Sequence, residues 1–198
     1  MNKKYLNFIT PCFIKQKGLT LIEMLIAVAM LGIIIAATSG LFISSLNYNQ
    51  KVLATQELID QTSFSLEYMS RDLRMAKKDI SKNCIPDGES YEITTNGIKF
   101  FSYNGDCTEF YLYVDGDGKS YVKKKITSPL PDAGEWNLLS DTFQIDFLKF
   151  NLSGGKPYNY QPKVTILLGV SGRLTRMLGR PKVQVQTTVS QRNLDFQY

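Results

Sequence analysis

The sequence predicts an α+β chain: a long N-terminal helix whose first half is transmembrane, packed by its second half on an antiparallel β-sheet. Three observations lead there. Residues 19–43 form an apolar run, helical periodicity continues beyond it to about residue 78 with no proline, and from Cys84 onward the pattern changes to alternation in twos between clusters of turn residues. At 198 residues there is room for one domain besides the membrane helix.

Residues 1–18 read as a basic leader peptide. Lys3, Lys4, Lys15 and Lys17 sit there with no acid among them, so four of the chain's five net positive charges belong to this segment. Under the positive-inside rule the leader stays in the cytoplasm and the C-terminal part lies across the membrane. The basic balance is therefore largely a targeting signal, and a nucleic-acid partner is not the first expectation from it.

From Leu19 to Ile43 there are 25 residues, and only Thr20, Glu23, Gly32, Thr38, Ser39 and Gly40 are not apolar. At about 1.5 Å per residue such a helix is about 37 Å long, enough to span a hydrocarbon layer of about 30 Å. Glu23 is the anomaly. A charge at the midplane costs about 2.5–3.5 kcal/mol, and this run holds no Lys or Arg to pair with it. A cut after Gly18 would supply the cation, because the new amine of Leu19 would lie within one helical turn of Glu23. Two copies staggered along a common axis could then pair the amine of one with the carboxylate of the next.

The stretch Lys17-Gly18-Leu19-Thr20-Leu21-Ile22-Glu23, after a basic leader and before a long apolar run, resembles the prepilin peptidase site of type IV pilins and of the pseudopilins of type II secretion. The resemblance implies cleavage between Gly18 and Leu19, N-methylation of Leu19 and an assembly role for Glu23. The partners it implies are prepilin peptidase, other pilin or pseudopilin subunits in a helical filament, the inner-membrane assembly platform, and membrane lipid before assembly; it implies no cofactor. The protein would begin as a single-pass protein of the cytoplasmic membrane and end in a pilus or pseudopilus at the cell envelope. Gly32 stands where many members carry Gly, whereas Gly40 stands where many major pilins carry a kinking Pro. That departure points to a minor pilin or pseudopilin. Two other readings, an ordinary signal peptide cut near Ala36-Ala37 and a plain signal anchor, leave Glu23 without a task.

Residues 44–198 then form the exported domain, including the amphipathic half of the helix at about 44–78. The polar stretch from Phe42 to Gln56 reads as a neck. Ile59, Leu66, Met69, Leu73, Ala76 and Ile80 mark one apolar stripe, with Glu67, Arg71, Arg74 and Lys78 off it. Residues 65–76, with Arg71-Asp72-Leu73-Arg74 at their centre, resemble a stretch of J-type pseudopilins and W-type minor pilins, which implies a tip or priming subunit. Taken alone they are an ordinary amphipathic helix.

Seven strands are expected, at Tyr91–Thr94, Ile98–Tyr103, Glu109–Val114, Ser120–Ile126, Thr142–Phe150, Lys163–Val170 and Lys182–Ser190. Asn96-Gly97 and Asp115-Gly116-Asp117-Gly118 are hairpin signals between pairs of them. Loops are expected around Pro129, Pro131 and Gly134 and from Ser153 to Pro162. The last strand and its tail, through Arg192-Asn193, again resemble the same subfamily.

Cys12 belongs to the leader, which leaves Cys84 and Cys107 as an even pair in the exported part and as candidates for a disulfide. Closing a loop of about 24 residues contributes about 3 kcal/mol in the chain-entropy model; the alternative is two unpaired thiols. With no His in the chain, two thiolates cannot complete a zinc site. Asp115 and Asp117 are weak calcium candidates, because Ca²⁺ needs 6–8 oxygens and a solvated turn explains the same residues. Arg173, Arg176 and Arg180 make a basic loop, and Lys123, Lys124 and Lys125 look equally exposed. Both groups suit a solvated or edge-protecting face better than a DNA grip, which takes many phosphate contacts. No nucleophile elbow, phosphate loop or distinctive carboxylate pair appears, so an enzyme is not expected. The functional expectation is a structural minor subunit of a type IV pilus or type II secretion pseudopilus; the alternative is a pilus-linked adhesin or DNA-uptake module on the same helix.

Overall fold

The structure, a computed structural model, describes residues 18–86, 88–127, 133–155, 160–172 and 179–192. The leader lysines with Cys12, the prolines at 129 and 131, Arg173, Arg176 and Asn193 lie outside the described residues. One helix, α1 (Leu21–Arg74), comes first, and internal contacts divide the chain into two units between Leu46 and Asn47.

In the first unit every described residue, from Gly18 to Leu46, is exposed. Helix α1 is long and apolar enough to cross a membrane. Its hydroxyls suit that setting. Thr38 donates to the Ile34 carbonyl at 3.0 Å and Ser39 to the Ile35 carbonyl at 2.7 Å, so both satisfy themselves within the helix as hydrocarbon requires.

In the second unit α1 buries Leu58, Thr62, Ser65, Leu66, Met69 and Leu73, which fall along one face of the helix. Two residues of the expected stripe are not on it. Ile59 is exposed because it lies one residue, about 100° of helix, beyond Leu58. Ile80 is exposed because the helix ends at Arg74, before it is reached. Tertiary partners set that end, four residues before the expected Lys78. Tyr91 Oη donates to the Leu73 carbonyl at 2.5 Å, the Arg192 N–H to the Arg74 carbonyl at 2.8 Å, and Gln191 Nε2 to the Ala76 carbonyl at 3.0 Å. These bonds satisfy carbonyls that a helix end leaves open, while Lys77 turns away to pair with Phe101 as an isolated bridge.

Two antiparallel sheets follow instead of one. The first is a five-stranded meander of β1 (Tyr91–Ile93), β2 (Gly97–Phe101), β3 (Cys107–Val114), β4 (Ser120–Thr127) and β5 (Gly134–Asn137); the second is β6 (Gln144–Gly155), β7 (Tyr160–Ser171) and β8 (Lys182–Ser190). Strand β5 was not expected. It is four residues long, opens on Gly134 and is exposed throughout, so it carries no alternation; pairing Lys124 with Trp136 along β4 makes it a strand.

Both hairpin signals are where they were expected. Thr94 N–H meets the Gly97 carbonyl at 3.0 Å across the β1–β2 turn, and Asp115 N–H meets the Lys119 carbonyl at 2.9 Å between β3 and β4. Gly97 has a second reason to be glycine, since a Cβ there would stand 2.0 Å from the Phe110 carbonyl oxygen of β3. A single core joins the distal helix to both sheets: Leu58, Leu66, Met69 and Leu73 with Ile98, Phe100, Phe110 and Val122 of the first and Ile145, Val164, Ile166 and Leu168 of the second.

Candidate assembly site at the helix N-terminus

Gly18 and Leu19 precede α1 and are exposed, and among the described residues nothing beyond its chain neighbours lies within 4 Å of where a Cβ on Gly18 would stand. Thr20 opens the helix. Its Oγ1 accepts from the Glu23 N–H at 3.3 Å while its carbonyl accepts from the same N–H at 3.1 Å and from Met24 N–H at 3.2 Å. Thr20 and Glu23 therefore hold the Ncap and N3 positions, where an acid also faces the positive end of the helix dipole. Sequence reasoning missed this capping role of Glu23; the Thr-x-x-Glu spacing is the signal that could have found it. Thr38 and Ser39 satisfy their hydroxyls within the helix, and Glu23 is the single ionisable side chain between Leu19 and Ile43.

The other predicted residues lie in the second unit. Cys84 and Cys107 form a disulfide, with 5.3 Å between their Cα atoms, tying the segment after the helix to the start of β3. Asp79, which sequence reasoning passed over, organises the same segment: its Oδ2 accepts from the N–H groups of Cys84 and Ile85 at 2.6 and 2.9 Å, and Oδ1 from Ser81 at 2.7 Å. Burial alone would raise its carboxyl, but those bonds hold it below the usual range.

Asp115 spends its carboxylate on its own turn. Oδ1 accepts from the Asp117 and Lys119 N–H groups at 3.1 and 2.8 Å and Oδ2 from Tyr121 Oη at 3.2 Å, and the Lys119 bond foremost lowers its pKa. Among the described residues no group of three or more His, Cys, Asp or Glu gathers.

The three lysines of β4 are not equivalent, contrary to expectation. Lys123 pairs with Glu135 at 2.9 Å and Lys125 is exposed, but Lys124 is only 7 % exposed. Its ammonium reaches Asp72 at 2.6 Å and Tyr68 Oη at 2.8 Å, with the Trp136 ring 5.6 Å away. Burial alone would lower its pKa; the bonds to Asp72 and Tyr68 raise it. The strand alternation put Lys124 on the inner face, and Asp72 on α1 makes that tolerable. Arg180, the described member of the basic loop, is exposed. Arg71, Arg74 and Arg192, from the two stretches with the subfamily resemblance, line one groove.

No known protein with a curated description and no solved structure matches the chain. Residues 14–39 do match the family model of the prokaryotic N-terminal methylation motif. That span contains Gly18, Leu19, Thr20 and Glu23 and runs through the exposed apolar helix, and it supports a type IV pilin-like precursor, anchored in a membrane and processed by prepilin peptidase.

Proposed function

We propose that the chain is a structural minor subunit of a type IV pilus or type II secretion pseudopilus, cut between Gly18 and Leu19, N-methylated on Leu19, and drawn from the membrane into a helical filament. One observation carries the reading: the methylation motif coincides with the apolar start of α1, and within residues 19–43 the single ionisable group, Glu23, sits in the first turn. Stacking residues 19–43 against neighbouring subunits replaces lipid contacts at little net cost. The specificity then comes from charge. The freed amine of one subunit meets Glu23 of the next, removes an unpaired carboxylate from hydrocarbon and sets the axial stagger. Gly40 in place of a kinking Pro supports a minor role, and residues 65–76 with the β8 tail support a place at the tip or in priming.

The intact mass of the protein from its native membrane tests processing: loss of residues 1–18 and gain of one methyl group are expected, and a chain still beginning at Met1 refutes it. Glu23→Gln tests the pairing separately from the cap, because Gln serves equally at N3 of a capping box. The variant should insert normally and fail to enter filaments. Incorporation at the wild-type level would sink the pairing.

A further inference from the structure

Beside the end of α1 the second unit opens a groove of about 810 Å³, within the range of about 300–1,000 Å³ typical of ligand sites. Its lining comes from α1, the β2–β3 turn, β3, β4 and Arg192. Arg71, Arg74 and Arg192 bring three guanidiniums to it, and all three residues are exposed. Among the described residues the ion pairs are Lys123–Glu135 and Lys124–Asp72, so no carboxylate is paired with any of these arginines. That holds even for Glu67, one helical turn before Arg71, and for Asp106, both of which line the groove. Capping the helix does not account for the arginines either. A helix C-terminus carries about half a negative charge, and the carbonyls of Leu73, Arg74 and Ala76 already accept from Tyr91 Oη, the Arg192 N–H and Gln191 Nε2. The guanidiniums are left for a ligand from outside the domain.

We infer that the groove binds a short acidic segment of another protein's chain. Charge complementarity selects this occupant. A guanidinium presents a rigid fork of N–H donors that meets a carboxylate in two parallel hydrogen bonds, so three of them together suit a ligand with several carboxylates. The Tyr103 ring, 56 % exposed with the Lys77 ammonium 3.9 Å from its centre, brings a fourth cation to the border. Lys124 and Asp72 neutralise each other, which leaves Arg71, Arg74, Arg192 and Lys77 against Glu67 and Asp106. Those two acids distinguish between anions. They repel a compact dianion such as phosphate, but they accept from the N–H groups that a peptide carries beside its carboxylates. Ser102 and Asn104 add donors and acceptors for its backbone.

The test titrates the full chain, in a nonionic detergent, into a fluorescein-labelled, end-blocked peptide alternating Glu and Gly, and follows anisotropy. Saturable binding is expected, and none with Gln in place of Glu. Arg71→Gln with Arg192→Gln should weaken it by at least about tenfold, the loss of one charge-assisted hydrogen bond. Lys125→Gln with Arg180→Gln removes the same charge from exposed positions outside the groove and should change affinity by less than about twofold at physiological salt. A benzophenone at the centre of the peptide reads the location in the unsubstituted chain: label is expected between Glu67 and Met75 or between Ser102 and Thr108. Absence of binding, equal binding of the Gln peptide, equal loss in the two double variants, or label elsewhere overturns the inference. So does displacement by inorganic phosphate beyond that by chloride of equal ionic strength, which would assign the guanidiniums to a free anion. Dimers of the chain that dissociate in Arg71→Gln with Arg192→Gln would assign the groove to a second copy and overturn it too. None of these results depends on cleavage after Gly18, so the filament reading and this site stand or fall separately.

Discussion

Removing the carboxylate of Asp72 should destabilise the domain more than removing the lysine it pairs with. In the folded protein the Lys124 and Asp72 side chains are 9 % and 28 % exposed, so the two charges differ in their access to water. Asp72→Ala leaves an ammonium against Tyr68, Phe110 and Trp136 with the Tyr68 hydroxyl as its remaining acceptor. Breaking a fully buried pair costs about 3–5 kcal/mol; with that hydroxyl left and Asp72 partly wet, about 2–3 kcal/mol is expected. Lys124→Met leaves a carboxylate that water can reach and a thioether among three aromatic rings, at a cost below about 1 kcal/mol. For a domain of this size the first change lowers Tm by about 5–10 °C. Trp136, the one tryptophan in the chain, reports locally, and its emission should be followed on heating the full chain in detergent. A Lys124→Met protein less stable than Asp72→Ala would refute the account, since it would mean that the lysine adds more than the aspartate neutralises.

Two further outcomes follow from the same unit. Cys84→Ser with Cys107→Ser should lower stability by about 3 kcal/mol, the chain-entropy value for a loop of this length, and reductant should then leave the melting of the variant unchanged while lowering that of the wild type. Stability should also fall at both ends of the pH scale. Tyr111 is pushed up, by burial first and then by its hydrogen bond to Glu135, and Lys124 is raised, so both favour their protonated forms in the fold; their contribution is complete below about pH 10 and is lost as pH rises through the folded values. Asp79 is lowered, so its contribution is present above pH 3.8 and is lost as pH falls through its folded value. Tyr111→Phe should flatten the alkaline limb of a denaturation series and Asp79→Asn the acid limb; unchanged slopes would contradict the assignments.

The sequence by itself determined the features whose physics is local. An apolar run long enough for hydrocarbon, one carboxylate near its start, a Gly-Leu junction ahead of it and the Asn-Gly and Asp-Gly turns can each be read without knowing what packs where, because chain length, transfer cost and backbone freedom act within a few residues. Alternation likewise located seven of the eight strands. Tertiary structure decided what depends on partners distant in sequence. Helix α1 stops at Arg74 because Tyr91 and Arg192 take its last carbonyls; Leu58, not Ile59, is buried because the sheets fix which side of the helix is inward. Lys124 turns inward because Asp72 lies 52 residues away on the facing helix to neutralise it. β5, with no alternation of its own, exists because β4 offers an edge to pair with. A short-range pattern cannot record these, since each is a contact whose two halves carry no mark of one another until the chain has folded.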